Sequence, residues 1–234
     1  QAESELAAIN MVFGAAAAGA RAMTSSSSPG ISLMQEGISF LAGAELPAVI
    51  VNIQRGGPGL GNITASQGDY YQAVKGGGHG DYRCLVYSPF NLQEMWDLTM
   101  KAFDKADKYR MPVMILGDGV VGQMMEPFHP TKYVKPRLPE KDWVLDGCKG
   151  RKPRVIRSLC MGQGELEQRN LKLLKKYELL KKKEVLFDSY DVDKARLIVV
   201  AFGIAARIAL SAVNELRSEG FEIGLFRPVT LFPF

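Results

Sequence analysis

The hydrophobic positions of this chain alternate between short apolar runs and longer amphipathic stretches, and this alternation predicts an α/β fold. Short runs of β-branched and aliphatic residues bounded by Gly or Pro are typical of strands that are covered on both faces, as in a parallel sheet. Apolar residues that recur every three or four positions predict helices between those strands. The predicted strands are 22–25, 47–53, 83–87, 112–116, 197–202 and 221–226, and the predicted helices are 4–20, 31–43, 91–109, 165–184 and 204–218.

The first predicted helix is rich in small residues, and its last seven positions, 14–20, are all Ala or Gly. Such small residues allow two backbones to approach closely, so we expect this helix to pack against another element or another chain. Ser4 stands at the N-cap position, and Glu5 follows in the first turn, where the helix dipole favours negative charge. The residues alone leave two interpretations of Glu5 open: an ordinary helix-start residue, or an acid placed for chemistry.

The pattern changes after residue 126, where prolines, basic residues and scattered hydrophobic residues replace the periodic runs. We therefore predict three segments: a parallel-sheet domain over 1–126, a linker or crossing segment over 127–163, and the start of a second α/β domain over 164–234. Because the chain has no initiator Met and stops within a β-α-β unit, we predict that it is an internal fragment.

The net charge of +4 is distributed unevenly, since residues 130–185 carry 16 basic and 7 acidic residues. A basic surface can attract nucleic acid or an acidic protein. Aromatic residues for base stacking are not interleaved with the basic residues, so we predict a solvated segment and no nucleic-acid partner. No run approaches the roughly 20 apolar residues that a membrane helix needs, and we predict no membrane segment.

The 3 cysteines and 2 histidines are few and widely spaced. This spacing argues against a disulfide scaffold, a cysteine-ligated cluster and a metal site within this chain. We therefore expect a reducing, cytoplasmic location.

A glycine-rich segment, QRGGPGLGN, follows the predicted strand 47–53. It does not fit the dinucleotide motif GxGxxG, because Asn62 stands where the third glycine belongs. Arg55 follows the strand directly, and ligands of open parallel sheets bind beyond the carboxyl ends of strands. Arg55 is thus either a surface arginine or a fork that grips a carboxylate or phosphate.

Several segments, taken together, resemble one family, the alpha subunits of the 2-oxoacid:ferredoxin oxidoreductases, and most closely the 2-ketoisovalerate (3-methyl-2-oxobutanoate) type. These segments are QAESELAAINM, GAAAAGARAMTSSSSPGISL, AELPAVIVN, RGGPGLGN, KGGGHGDYR, DGVVGQMMEP, AFGIAARIALSAV and GLFRPVTLFPF. The resemblance covers nearly the whole chain. It implies a domain that holds the pyrimidine ring of thiamine diphosphate, followed by part of a transketolase C-terminal-like domain.

The resemblance also implies cofactors and partners. Thiamine diphosphate would be shared with a beta subunit that carries the diphosphate and Mg²⁺, and iron–sulfur clusters would lie in partner subunits only. The other implied partners are a ferredoxin-like subunit of the same complex, a 2-oxoacid, coenzyme A, and ferredoxin as the electron acceptor. The family's N-terminal strand and loop, which includes a threonine near the substrate, is absent here, so we expect the fragment alone to be inactive.

The site residues follow from the same resemblance. Glu5 would hydrogen-bond N1′ of the pyrimidine, with Glu3 as the competing assignment, and Arg55 with Gly56 would grip the substrate carboxylate. The cofactor would also face the serine turn, namely Ser26, Ser27, Ser28 and Gly30, although that turn is equally suited to capping the next helix. The alternative functions are another thiamine diphosphate enzyme, of the transketolase or E1 type, and a non-catalytic assembly subunit.

Overall fold

A computed structural model describes residues 2–234 as two α/β units. The helices are α1 (Glu5–Ala17), α2 (Pro29–Gly43), α3 (Tyr70–Lys75), α4 (Leu92–Tyr109), α5 (Glu165–Lys183) and α6 (Gly203–Ser218). The strands are β1 (Met23–Ser26), β2 (Ala48–Gln54), β3 (Leu85–Tyr87), β4 (Pro112–Asp118), β5 (Phe187–Tyr190), β6 (Leu197–Val200), β7 (Ile223–Pro228) and β8 (Thr230–Phe232).

The first sheet has five strands in the order β1-β2-β4-β3-β8. Strands β1 to β4 are parallel, and β8 is added antiparallel at the β3 edge. One apolar cluster packs α1 and α2 on one face, and a second packs α4 and α5 on the other. The continuous apolar runs in β2 and β4 are therefore explained by burial on both faces, as the sequence predicts.

Strands β5 and β8 and helix α3 are absent from the sequence-based prediction. Strand β8 has three residues between two prolines, and β5 has four residues of alternating exposure. Helix α3 has six residues, fewer than two turns. Elements this short carry too little periodicity to be read from sequence, and only their pairing and packing define them.

Helix α1 packs against another element, as the sequence predicts, and that element is α2. The close approach between them is at a glycine of α2. Ile9 of α1 is fully buried, and a Cβ atom on Gly37 of α2 would lie 2.5 Å from its Cγ2 atom. Ser4 is the N-cap of α1, and its hydroxyl accepts a hydrogen bond from the Ala7 amide at 3.2 Å. The start of α1 is thereby defined locally, whereas its lateral position is set by contact with α2.

Helix α5 packs on the first sheet, although it follows the crossing segment in the chain. Leu173, Tyr177 and Leu180 of α5 are buried in the same apolar cluster as Leu98 of α4. The second sheet, in the order β5-β7-β6, contains the predicted β-α-β unit formed by β6, α6 and β7. The prediction assigns α5 to the third segment, whereas α5 packs in the core of the first sheet. The segment boundaries at 126 and 163 stay a prediction from composition.

Candidate active site

The serine turn and the glycine-rich segment lie side by side at one edge of the first sheet. Strands β1 and β2 are parallel, and Ser26 is the register partner of Asn52. Strands β1 and β2 therefore end on the same side of the sheet. Strand β1 is followed by the turn into α2, and β2 is followed by the loop over 55–69. This is the edge at which open parallel sheets bind ligands.

Glu5, Ser26 and Gly30 meet where α2 begins. The Ser26 hydroxyl donates a hydrogen bond to Oε1 of Glu5 at 3.4 Å. A Cβ atom on Gly30 would lie 2.1 Å from Oγ of Ser26 and 2.6 Å from Oε1 of Glu5, so a larger residue would displace the pair. Glu3 is exposed, and it is Glu5 that makes the contact with the serine turn.

Glu5 is half-buried, and within residues 2–234 no Lys, Arg or His nitrogen lies within 4.0 Å of its carboxylate. A carboxylate in the first turn of a helix is favoured by the helix dipole. One hydroxyl at 3.4 Å occupies only part of the hydrogen-bonding capacity of a carboxyl group, which has about four lone-pair positions. The group is therefore held in place but is left able to bind a polar ligand.

Arg55 lies on the same edge and joins the serine turn to the glycine-rich loop. Its Nε atom donates to Oγ of Ser28 at 2.7 Å, and its Nη2 atom donates to the carbonyl of Leu60 at 3.2 Å. Ser28 has φ +52°, in the region that favours glycine, and Pro29 begins α2 directly afterwards. The strained backbone at Ser28 persists where surrounding structure holds it, and here its hydroxyl faces Arg55.

The glycine-rich loop folds back on itself. The amide of Gly56 donates to the carbonyl of Thr64 at 3.0 Å, and the amide of Asn62 donates to the carbonyl of Gly56 at 2.9 Å. Gly61 has φ +62°, and a Cβ atom there would lie 1.6 Å from the Gly56 carbonyl oxygen. The loop thus requires glycine for its own closure, apart from any ligand.

An open cleft of about 280 Å³ lies beside Arg55. Its lining combines residues of the serine turn, the glycine-rich loop and the start of α3, namely Ser28, Pro29, Ser32, Arg55, Gly57, Pro58, Gly59 and Asp69. The structure therefore brings Ser28 and Arg55 to the cleft itself. Glu5, Ser26 and Gly30 meet nearby at the start of α2, while Ser27 contributes its carbonyl, which accepts from the Gly30 amide at 3.1 Å.

Asp69 is a cleft residue that the sequence reasoning missed. Its Oδ2 atom accepts from Nδ2 of Asn52 at 3.0 Å, and its amide donates to Oε1 of Gln54 at 3.3 Å. Asn52 and Gln54 are each 1% exposed. The signal was present in the sequence, because two polar residues alternate at the carboxyl end of an otherwise apolar strand and so share one face.

The second α/β unit docks against the same edge of the first sheet. Asp118, at the end of β4, accepts from the amide of Ile204 at 3.3 Å, in the first turn of α6. Gln67 donates from Nε2 to the carbonyl of Phe202 at 2.7 Å. The buried carboxylate of Asp118 therefore accepts a hydrogen bond from a free backbone amide at the N-terminus of α6. The two units meet next to the cleft.

The comparisons with known proteins agree with this architecture. The family model for pyruvate flavodoxin/ferredoxin oxidoreductase, thiamine diphosphate-binding, matches residues 1–165. The model for pyruvate:ferredoxin oxidoreductase core domain II matches residues 195–234. The chain belongs to this oxidoreductase family, and the resemblance drawn from its motifs is confirmed.

Two relatives of the chain are subunits of enzymes that are named for particular 2-oxoacids. The chain is 57% identical over 234 residues to the ketoisovalerate oxidoreductase subunit VorB of Methanothermobacter thermautotrophicus, covering 100% of this chain and 66% of the relative. It is 34% identical over 262 residues to the 2-oxoglutarate synthase subunit KorA of Methanocaldococcus jannaschii, covering 100% of this chain and 70% of that one. The chain spans about 66% of the length of that VorB subunit and of the VorB subunit of Methanothermobacter marburgensis.

A solved structure shows the same fold. The 2-oxoglutarate:ferredoxin oxidoreductase from Magnetococcus marinus, with 2-oxoglutarate, coenzyme A and succinyl-CoA bound, aligns with a TM-score of 0.89 at 25% identity. The alignment covers 100% of this chain and 46% of that chain. Both α/β units of this chain therefore align with one part of that structure.

The residues at the serine turn fit the pyrimidine ring of thiamine diphosphate. Such a ring needs one acidic group at a ring nitrogen, and Glu5 is the acid that lies against Ser26 and Gly30 at this edge.

Between residues 2 and 234, no cluster of three or more His, Cys, Asp or Glu side chains is placed to hold a metal ion. In the same range, none of the helices combines the length and the apolar composition that crossing a bilayer requires.

Proposed function

We propose that the chain is the greater part of an alpha-type subunit of a thiamine diphosphate-dependent 2-oxoacid:ferredoxin oxidoreductase. The proposed reaction is oxidative decarboxylation of a branched 2-oxoacid to its acyl-coenzyme A, with electrons passed to ferredoxin. The observation that carries the proposal is the half-buried Glu5 carboxylate. It accepts a hydrogen bond from the Ser26 hydroxyl beside Gly30, and it has no cation partner in the described chain. The relative at 57% identity, named for ketoisovalerate, supports the branched substrate.

When bound, thiamine diphosphate would supply a nucleophilic carbon for the keto group and an acceptor for the electron pair that stays behind when CO₂ departs. The contribution of Glu5 is to hold a proton at a ring nitrogen of the pyrimidine, which favours the tautomer that acts as a base. A carboxyl group serves this purpose best where it is fixed and partly dehydrated. Ser26 supplies the fixation, and the packing of α1 on α2 excludes part of the water.

Arg55 would bind the carboxylate of the 2-oxoacid. A guanidinium pairs with a carboxylate through two parallel hydrogen bonds, and its charge is permanent. Its present partners, the Ser28 hydroxyl and the Leu60 carbonyl, are neutral oxygens that orient the group without cancelling its charge. Gly56, next in the chain, allows Asn62 to pack against the backbone beside Arg55, because a Cβ atom on Gly56 would lie 2.4 Å from Oδ1 of Asn62.

The remaining half of the site belongs to partners in this proposal. A beta subunit would supply the diphosphate and Mg²⁺ contacts, and ferredoxin-like subunits of the same complex would hold the iron–sulfur clusters. The open cleft beside Arg55 is consistent with closure by a neighbouring chain. The three unpaired cysteines support the further proposal that the complex works in the reducing cytoplasm.

The proposal is tested with Glu5→Gln in the full-length subunit, assembled with its partner subunits. The glutamine keeps the size of the side chain but removes the acid, so we expect activity with 2-ketoisovalerate, coenzyme A and a viologen acceptor to fall by roughly 100- to 10,000-fold. The exposed Glu3→Gln variant is the matched control and should retain wild-type rates.

Assembly is followed by size-exclusion chromatography, and both variants should elute with the complete complex. Near-normal turnover in Glu5→Gln would remove Glu5 from the mechanism. Absence of 2-oxoacid oxidation by the wild-type complex would overturn the proposed function itself and would favour an assembly subunit or a different thiamine diphosphate enzyme.

A further inference from the structure

Leu60 is a large apolar side chain displayed to solvent beside the charged Arg55. It is 76% exposed, although it stands in a loop whose backbone is tightly closed. Single exposed leucines are common on protein surfaces. This one differs in that its own carbonyl is a hydrogen-bond partner of the arginine proposed to bind substrate.

The backbone on both sides of Leu60 is constrained. Gly59 has φ +67° and Gly61 has φ +62°, conformations that L side chains rarely adopt. Asn62 locks the far side, because its Oδ1 atom accepts from the amide and the hydroxyl of Thr64 at 3.1 Å and 2.7 Å. The Leu60 side chain is therefore presented from a fixed position, without relying on core contacts of its own.

The backbone of Leu60 lies next to the guanidinium group of Arg55. The Leu60 carbonyl oxygen lies 3.2 Å from Nη2 of Arg55. A carbonyl oxygen is about 2.4 Å from its own Cα atom, so the Leu60 Cα lies within about 5.6 Å of that nitrogen. In a 2-oxoacid the side chain begins two bonds from the carboxylate carbon. Leu60 directly follows Pro58 and Gly59, which line the cleft beside Arg55. A branched side chain attached to a carboxylate on Arg55 is long enough to meet a Leu60 side chain turned towards the cleft, at the roughly 4 Å typical of apolar contact.

We propose that Leu60 is a specificity-determining residue that forms an apolar wall for the side chain of the bound 2-oxoacid. The inference rests on the proposed function and deepens it, since it assigns recognition of the substrate's aliphatic part to this chain. The branched side chain and the exposed Leu60 side chain would each lose contact with water on binding. A methyl-sized side chain would gain little from the same wall, so the residue favours longer aliphatic substrates.

The experiment compares Leu60→Ser with Ile63→Ser in the full-length subunit assembled with its partners. Ile63 is 75% exposed and lies in the same loop, but its carbonyl faces Gly119 rather than Arg55, which makes it a matched control. The measured quantity is the ratio of kcat/KM for 2-ketoisovalerate to kcat/KM for pyruvate, with coenzyme A and a viologen acceptor.

In Leu60→Ser we expect this ratio to fall about tenfold, in the range that contact with one or two methyl groups supplies. The ratio should stay within twofold of wild type in Ile63→Ser. Leu60→Met, which keeps the apolar volume, should restore most of the ratio. Because the Leu60 side chain is exposed and the substitution keeps its backbone carbonyl, the variant should assemble normally.

An unchanged ratio in Leu60→Ser overturns the assignment, and so does an equal fall in Ile63→Ser. Both of those results would leave the proposed function standing, since the wild-type complex would still oxidise 2-oxoacids. A wild-type complex that oxidises neither substrate would instead refute the proposed function, and this inference with it.

Discussion

Charged residues at the two ends of the parallel strands of the first sheet differ in their partners. The amino edge is the end at which these strands begin, and the carboxyl edge is the end at which they finish. At the amino edge, Arg21 precedes β1 and pairs with Asp104 at 2.7 Å and with Asp107 at 2.8 Å. Glu45 precedes β2 at the same edge, and its carboxylate pairs with two lysines of α5, Lys172 at 2.5 Å and Lys176 at 2.8 Å. At the carboxyl edge, Glu5 and Arg55 have only neutral hydrogen-bond partners among the residues that the structure describes.

This difference separates charges that hold the fold from charges that are left for a ligand. Burial works to raise the pKa of Glu45, yet the ammonium groups of Lys176 and Lys172 together lower it to about 2. The chain therefore neutralises Glu45 internally and gains stability from it. Glu5 is oriented by a hydroxyl alone, so a bound molecule would supply the partner that the chain does not.

Among the variants that compare the two edges, the largest effect is expected from Gly30→Ala, which disturbs the carboxyl edge without removing a charged group. The added Cβ would lie 2.1 Å from Oγ of Ser26 and 2.6 Å from Oε1 of Glu5, so the acid must move. A displacement of about 1 Å at such a group costs about 100-fold in rate, and we expect at least that loss in kcat/KM of the complete complex.

Gly14→Ala is the matched control for that variant. A Cβ on Gly14 would meet nothing within 4 Å, so activity should be unchanged, and α1 should gain up to about 1 kcal/mol in stability. Full activity in Gly30→Ala would show that the start of α2 can yield and that its bare glycine does not limit the site.

The next effect is expected at the amino edge, from Glu45→Gln. Loss of the carboxylate leaves the largely buried Lys176 without its partner, and the free energy of unfolding should fall by about 2–3 kcal/mol at pH 7. Urea denaturation of the full-length subunit measures this change. The activity of correctly assembled complex should be retained, because Glu45 lies at the opposite edge from the cleft.

The same variant carries a pH dependence with a defined sign. The pKa of Glu45 is about 2 in the folded chain and near 4.5 when unperturbed, so its stabilisation is complete above pH 4.5 and is lost as the pH falls towards 2. The stability difference between wild type and Glu45→Gln should therefore shrink towards zero between pH 5 and pH 2. Its slope should not exceed about 1.4 kcal/mol per pH unit. A difference that is constant over this range would assign the loss to packing instead of charge.

The smallest effect is expected from Arg21→Gln. The Arg21 side chain is 31% exposed, and Lys141 continues to pair with Asp107 at 2.8 Å after the substitution. We expect a loss of about 1 kcal/mol or less, since partly exposed ion pairs contribute little. Thermal unfolding measures it, and a kcat/KM that fell together with stability would contradict the separation of the two edges.

The regular elements could be predicted from sequence because their signals are local. The apolar run of β2 and the N-cap Ser4 of α1 are read from neighbouring residues, and the structure confirms both. The position of Arg55 beyond the carboxyl end of β2 could also be predicted, since it directly follows the apolar run. The roles assigned to Glu5 and Arg55 stay predictions.

Other features depend on contacts between residues far apart in the chain. Asp69 reaches the cleft wall through Asn52 and Gln54, and β8 completes the first sheet from the end of the chain. Helix α5 joins the first core through an apolar face and through lysines that reach Glu45, more than 120 residues earlier. No local pattern encodes which of several amphipathic faces meets which core.

The sequence by itself determined the α/β class, the family, and the helix-start carboxylate at residue 5, because periodicity, capping and motif strings act over a few residues. Only the tertiary structure decided that Ser26, 21 residues away, would hold that carboxylate, and that Gly30 would leave the space for it. It likewise decided that Arg55 would meet neutral oxygens while Arg21 and Glu45 found opposite charges. The physical reason is that the partner of a charge is chosen by how helices and strands pack, and packing joins segments that the linear order keeps apart.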